Sequence, residues 1–490
     1  MSVGRLRVAV LACLGFGAVA ALCGCDLGPN YKQPGLELPA AYKATPESAN
    51  AAWPSTDWWR GFGSPELDQL IADTHAYNFD IQAAIARVRQ ADAQVRISGA
   101  PLLPTVDANG QYSWERAGFT RSSAGARSGG KRYIETRNYN TGLSASYEVD
   151  LWGRIHAQQE SAEASALASR FDQETVALTV VTSVASTWFQ ALAFKDRLDV
   201  LERNLRDARA ILSAIQGRLD AGTASQLDVA QQASLVQGLE ANVPVFRSEL
   251  EQQLNGLGIL TGKPPEAITA QPGTLTKLSL PPVDAGIPSE LLARRPDVQF
   301  AEAQLIAANA NIKFARANFF PQISLTGSEG LESTALSMLT GPGSMLTTFT
   351  ASVVQTVFDN GLKGGQYDLT KAQYEELVAV YRKSVVQALT DVEDALVAYK
   401  YATQQESLEQ VAVNTAQQAA DIARAQLAAG TIDIVTSLQV QTTLFGDLDL
   451  LVQARLARFQ ALLSLYKALG GGWTKGDVTI PPSTIFHGIL

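Results

Sequence analysis

The chain is 490 residues long, enough for several ordinary domains or one elongated architecture, with 46% hydrophobic and 18% charged residues and a net charge of −9. That acidic balance excludes a general nucleic-acid binder, which carries a basic stripe. His75, His156 and His487 lie far apart with no second ligand at metal spacing, so neither a metal centre nor a cofactor is expected.

Cys13, Cys23 and Cys25 all fall near the start, so the mature chain has no disulfide framework. Arg5 and Arg7 followed by an apolar run from Val8 to Leu22 form an export leader, too short for a good spanning helix. It ends Leu22-Cys23-Gly24-Cys25, which resembles the bacterial lipobox, with cleavage and acylation expected at Cys25. The chain is polar to about Ser55, and Pro29, Pro34, Pro39, Pro46 and Pro54 favour an extended strap, over 25–64, laid over other elements.

After Trp53, Trp58, Trp59 and Phe62, Ser64-Pro65-Glu66 opens a helix expected to run from Pro65 to about Ser98. Leu67, Leu70, Ile71, Ile81, Ile85, Val88 and Val95 give it helical spacing, and Gly99, Pro101 and Pro104 end it. The period then changes to two. Val106, Ala108, Gly110, Tyr112 and Trp114 alternate with polar residues, as do Tyr139, Thr141, Leu143, Ala145, Tyr147 and Val149. Two strands of about ten residues joined by a polar loop from Arg116 to Thr136 fit a membrane β-hairpin over 104–149. A soluble hairpin has the same alternation.

From Arg154 to Asp220 there is no proline and one glycine, Gly217. Leu198, Leu201, Leu205, Ala208, Leu212, Ile215 and Leu219 recur at spacings of three and four, the seam of a helix packed along a neighbour. Such a helix would be roughly 100 Å long. A turn at Gly222 and a returning helix over 225–258 follow, then a Pro-, Gly- and Thr-rich stretch over 262–288 that reads as a separate small region.

The pattern then repeats. Asp297-Val298-Gln299 echoes Asp80-Ile81-Gln82, and Pro321-Gln322-Ile323 echoes Pro104-Thr105-Val106, at one common offset. Gln426-Leu427-Ala428-Ala429-Gly430-Thr431 repeats Arg218-Leu219-Asp220-Ala221-Gly222-Thr223. The second repeat, 289–473, is expected to hold a helix, a hairpin over 321–358, a long helix over 365–429, a turn at Gly430 and a return helix over 432–469, with an irregular tail over 474–490.

Four spanning strands cannot leave open edges in lipid, so the chain must find more strands, most simply by self-association. Three copies supply twelve, within the range of outer-membrane barrels. Alanine-rich faces, including Ala162, Ala166, Ala416, Ala420 and Ala423, permit many helices to pack side by side. The fold expected is an internally duplicated α+β membrane protein: a trimeric twelve-stranded β-barrel continuous with a long α-helical barrel.

The motifs carry a family resemblance. They are Leu22-Cys23-Gly24-Cys25, Gly28-Pro29-Asn30-Tyr31, Trp58-Trp59 with Phe62, Asp150-Leu151-Trp152-Gly153-Arg154, Arg218-Leu219 with Gly222, Leu227-Asp228-Val229, Arg294-Arg295-Pro296-Asp297-Val298, and Ala315-Arg316-Ala317 with Phe319-Phe320-Pro321. In this order, and with the duplication, the chain resembles the lipoprotein branch of the TolC family of outer-membrane factors. The resemblance implies a homotrimer anchored in outer-membrane lipid through Cys25, crossing the periplasm. It also implies a periplasmic adaptor and an inner-membrane pump as partners, with a pump of the proton-driven RND type favoured. Asp26 departs from expectation, because that position in some bacteria holds lipoproteins at the inner membrane.

The same resemblance places a gate at the two rod tips, with Gly222 and Gly430 as turn residues. It assigns adaptor contact to Arg218, Leu219, Thr223, Gln426, Leu427 and Thr431. Asp228 matches an acidic position that ties neighbouring helices in the closed state, but its usual tyrosine and arginine partners fall at Leu427 and Ile432. Acidic constriction rings fall at Thr436 and Gln439, and an apolar constriction falls at Val435. Closure is therefore expected to rest on Val435, helped by Asp433, for which simple helix capping is an equal reading.

No catalytic motif is present. Gly256 to Lys263 lacks P-loop spacing and follows a helix, so the mechanism expected is passive conduction. Met1, Met338 and Met345 are too few for a methionine relay, and the cargo is not legible. A coiled-coil adaptor or structural lipoprotein is the alternative, though adaptors carry one helical hairpin.

Overall fold

The computed structural model describes residues 28–39, 41–43, 53–119, 132–268, 271–282 and 288–477. Cys25, the loop residues Arg121, Arg127 and Lys131, and the tail from 478 lie outside the described residues.

Ser64 caps α1 (Pro65–Tyr77) by accepting from the Leu67 N–H at 3.3 Å, with Pro65 at the first position as expected. The helix does not continue to Ser98. Asn78 sits in an extended conformation and its Oδ1 accepts from the N–H groups of Asp80 and Ile81, both at 2.9 Å, starting α2 (Phe79–Gly99). Its Nδ2 donates to the Leu260 carbonyl at 2.8 Å, so one side chain both breaks the helix and ties it to a distant element. The second repeat breaks at the corresponding place by another device. Between α5 (Pro288–Arg294) and α6 (Pro296–Ala317), Pro296 keeps Arg295 out of the helical region. Arg295 is 8% exposed, and its guanidinium reaches Asp297 at 2.6 Å and Asp391 at 2.9 Å.

The strands β1 (Thr105–Phe119), β2 (Arg132–Val149), β3 (Gln322–Ser333) and β4 (Met345–Val354) form one antiparallel four-stranded sheet in that order. The first hairpin is longer than expected, at 15 and 18 residues, and Arg116 belongs to β1, not to the loop. Its guanidinium lies 4.3 Å over the Tyr133 ring and 3.5 Å from Glu135, cross-strand contacts that hold a polar sequence in the ladder. Pairing of β2 with β3 spans Tyr139 to Val149, so the outer part of the first hairpin stands beyond the end of β3. Below the sheet, Trp152 donates from Nε1 to the Pro321 carbonyl at 2.8 Å and stacks on Phe320 at 4.9 Å. Two motifs that mark the ends of the hairpins in the two repeats thus meet where strands become rods.

Four helices make the rods. The 67-residue α3 (Arg154–Asp220) has the bounds its composition suggests, and α4 (Gln226–Thr261) returns beside it. The 68-residue α7 (Leu362–Ala429) begins earlier than expected, after Gly361 in the left-handed region, and α8 (Ile434–Ala468) returns along it. The α3 seam is buried as predicted: Leu205 and Ala208 pack with Val236 of α4, flanked by Leu212, Leu239 and Val243. Ala416 and Ala420 of α7 pack with Leu444 of α8 in the same way. Among the described residues α3 is the one helix long and apolar enough to cross a membrane, but 56% of that window is buried, which marks a core helix.

Phe62, at the end of a 3-10 turn (Trp58–Phe62), is wholly buried between Phe189, Phe459 and Tyr466, while Trp58 stacks on Tyr466 at 4.8 Å. The stretch after α4 is not a separate region. Leu275 is buried in this same core with its N–H on Asp196 Oδ2 at 3.0 Å, and the Ser279 N–H donates to the Phe62 carbonyl at 3.1 Å. Gly262 joins it to α4 with φ 67°, where an added Cβ would lie 2.1 Å from the Tyr77 carbonyl oxygen. Only glycine fits so close an approach.

Among the described residues, 28–39 of the strap carry no helix or strand, in keeping with the extended form its prolines predict. Trp53 donates to Glu290 at 3.0 Å, Tyr42 is buried beside α7, Gln33 donates to the Tyr381 hydroxyl at 2.9 Å, and the Pro29 carbonyl accepts from Asn309 at 3.0 Å. Gly28 then meets the stem of Lys313, which itself pairs with Glu160. Read from Trp53 back to Gly28, these contacts climb α7 and α6 towards the sheet.

Candidate functional site at the rod tips

Both rods end in the same backbone motif. In the first, the Gly222 N–H donates to the Leu219 carbonyl at 2.9 Å and the Thr223 N–H to the Arg218 carbonyl at 2.8 Å. In the second, the Gly430 N–H donates to the Leu427 carbonyl at 3.1 Å and the Thr431 N–H to the Gln426 carbonyl at 3.0 Å. Each is a Schellman cap, which satisfies carbonyls left over at a helix end and needs a left-handed residue at the turn. Gly222 and Gly430 supply it, at φ 76° and 72°. Thr223 and Thr431 reinforce the caps, each hydroxyl donating to the same carbonyl as its own N–H, at 3.1 Å.

The return helices start with matching caps. Ser225 Oγ accepts from the Asp228 N–H at 3.2 Å, while an Asp228 oxygen accepts from the Ser225 N–H at 2.8 Å. Within the chain, the Asp228 carboxylate therefore serves its own helix through a capping box. Asp433 accepts from the Thr436 N–H at 2.7 Å, a backbone bond that holds its carboxyl below the usual aspartate range. This is the capping reading of Asp433. Ile434 and Ser437 turn inward, whereas Val435, 54% exposed, shares the opposite face with Thr436 and Gln439.

Arg218 joins the two tips. Arg218 Nη1 donates to the Leu427 carbonyl at 3.0 Å, and Arg218 Nη2 lies 3.8 Å from where a Cβ on Gly430 would sit. Nothing in the local sequence pattern reveals this bond, since its partner is a backbone oxygen in the other repeat. Further up, Arg197 forks onto Asp449 at 2.6 and 3.0 Å, linking α3 to α8. Glu406 of α7 takes Arg455 at 2.8 Å and Arg458 at 3.0 Å, both from α8.

The profile of outer membrane efflux proteins matches residues 70–263 and 287–471. The chain belongs to this outer membrane efflux protein family. It is 37% identical over 449 residues to the pyoverdine export outer membrane protein OpmQ of Pseudomonas putida, covering 91% of this chain and 94% of that one. It is 30% identical to the cation efflux system protein CusC of Escherichia coli, covering 94% and 99%. The solved outer-membrane channel OprN superposes with a TM-score of 0.85 at 25% identity, covering 92% of this chain and all of that one. As a family member, the chain is an α+β outer-membrane efflux channel, which sets aside the adaptor alternative.

Proposed function

We propose that three copies join through the free edges of β1 and β4 into one duct that conducts cargo passively. A periplasmic adaptor and an inner-membrane pump, favoured to be of the RND type, would feed it at the rod tips. The observation that carries this reading is the pairing of an open four-stranded sheet at one end with duplicated, glycine-turned tips at the other. The sheet requires further strands in lipid. The tips present backbone and short side chains, Thr223 and Thr431 among them, as a docking surface for helical partners.

The cargo is a small compound, drug-like or otherwise toxic, chosen upstream of the duct. OpmQ serves pyoverdine export and CusC a cation efflux system, so one architecture accommodates unlike cargo. The gate is the ring that three copies of Val435 would form, with Thr436 and Gln439 on the same helical face. An apolar constriction closes a pore by dewetting, without the charged rings that Thr436 and Gln439 replace. Val435→Ser is expected to raise single-channel conductance in planar bilayers. Conductance equal to wild type would refute the gate assignment.

A further inference from the structure

The sheet has two unlike faces. Residues paired across an antiparallel ladder share a face, and the face alternates along each strand. On one face Thr105 Oγ1 meets Ser146 Oγ at 2.7 Å, Ser324 Oγ meets Ser352 Oγ at 2.9 Å, and Asn138 donates to Glu332 at 2.6 Å. The other face carries Val106, Ala108, Leu143, Ala145, Leu325 and Phe349. In a closed barrel the polar face lines the lumen and the apolar face meets lipid.

Aromatic residues bracket the lipid-facing side. Tyr147 stands at the end nearest the rods, while Tyr112, its ring 4.8 Å from that of Tyr139, stands with Trp114 at the outer end. Between these belts Glu329 is the one charged residue that the described strands place on this face. From Tyr147 to Arg137 along β2, at about 3.3 Å per residue and a tilt of ~40°, the rise is about 25 Å, the height of an outer-membrane apolar band. Arg137 pairs with Trp114 in the ladder, and Arg116 follows Trp114 on the same face. Two guanidinium groups therefore lie where acyl chains give way to headgroups, and a charge there costs far less than one at mid-bilayer.

The two arginines are not equally free. Arg116 is fixed between Glu135 and the Tyr133 ring. Arg137 is exposed and has no ion pair or hydrogen bond among the described residues. An unpaired arginine beside a second one, above an aromatic belt, offers the charge and the forked donors that a phosphate takes. Glu135 offsets part of that charge and leaves Arg137 as the principal anchor. We infer that Arg137, with Arg116, holds the phosphate of an anionic lipid headgroup in the outer leaflet. This rests on the closed-barrel reading above and adds a lipid site at the outer rim of each copy.

Native mass spectrometry of the purified full chain in a neutral detergent tests this, with diphosphoryl lipid A and its dephosphorylated form as probes. Wild type is expected to take up the phosphorylated lipid in preference, one per chain. Arg137→Gln is expected to weaken that uptake about tenfold, the scale of one charge-assisted hydrogen bond, and Arg137→Lys to recover part of it. Because Arg137 has no partner within the chain, a loss on replacing it reports the lipid and not the fold. Equal uptake of the two probes, an Arg137→Gln variant within twofold of wild type, or displacement of the lipid by an equal concentration of inorganic phosphate would overturn the site. The same spectra give the mass of the assembly. Three-chain species with no preference for phosphate leave the barrel standing and remove the lipid site. Single chains throughout refute the barrel and the site with it.

Discussion

Gly28 touches Lys313 so closely that any added Cβ would lie 2.0 Å from its Cγ. That contact fixes where the strap ends, high on α6 and near the start of β3, three residues after Cys25. An acyl anchor on Cys25 would then enter the same membrane that the sheet spans, and multiple acyl chains hold where one does not. Intact-mass spectrometry of the membrane-extracted chain is expected to show the leader removed and Cys25 carrying three acyl chains. An unmodified Cys25 would contradict the anchor. Single residues were legible in the sequence where their role is local: Gly222 and Gly430 as turns, Pro65 as a helix start, and Asp433 as a cap in one of its two readings. Arg218, Arg295 and Asn78 were not, because each acts on backbone or carboxylate groups far along the chain that no spacing rule connects.

At the scale of elements, the second hairpin is held by a carboxylate between two arginines. Burial pushes the Glu406 carboxyl up, but hydrogen bonds and charge from Arg455 and Arg458 outweigh it and hold it below the usual glutamate range. A folded-state pKa below the unfolded one contributes stability above the ordinary glutamate pKa, and that contribution is lost as pH falls through the folded value. Glu406→Gln is expected to cost about 2 kcal/mol at neutral pH, the scale of hydrogen bonds to a charged group. The gap between variant and wild type should narrow in denaturant titrations as pH falls below the ordinary glutamate range and through the lower folded value, where both side chains are neutral. A gap independent of pH would show that the carboxylate charge is not what matters. The long helices were legible because seams repeat over many turns. The break at Asn78 was hidden because apolar spacing continues through it, as α1 and α2 both lie along the rods. The length of the first hairpin was hidden because Arg116 pairs with Tyr133 and Glu135 across the ladder, a contact that composition does not announce.

For the whole molecule, the duplication decided the architecture, since two hairpins and two rods per chain leave a sheet that cannot close on itself. What a single chain does not display is the partner for its edges. Across the sheet, β1 and β4 are separated by two strands, about 14 Å at ordinary strand spacing, beyond the reach of a disulfide within one chain. No cysteine follows Cys25 in the sequence, so introduced pairs report cleanly. The most direct test is oxidative cross-linking in intact cells of Ala108→Cys on β1 combined in turn with Thr348→Cys, Thr350→Cys or Ser352→Cys on β4. At least one pair is expected to yield a covalent species of three chains on denaturing gels. A series that runs as single chains throughout would contradict the closed trimeric barrel.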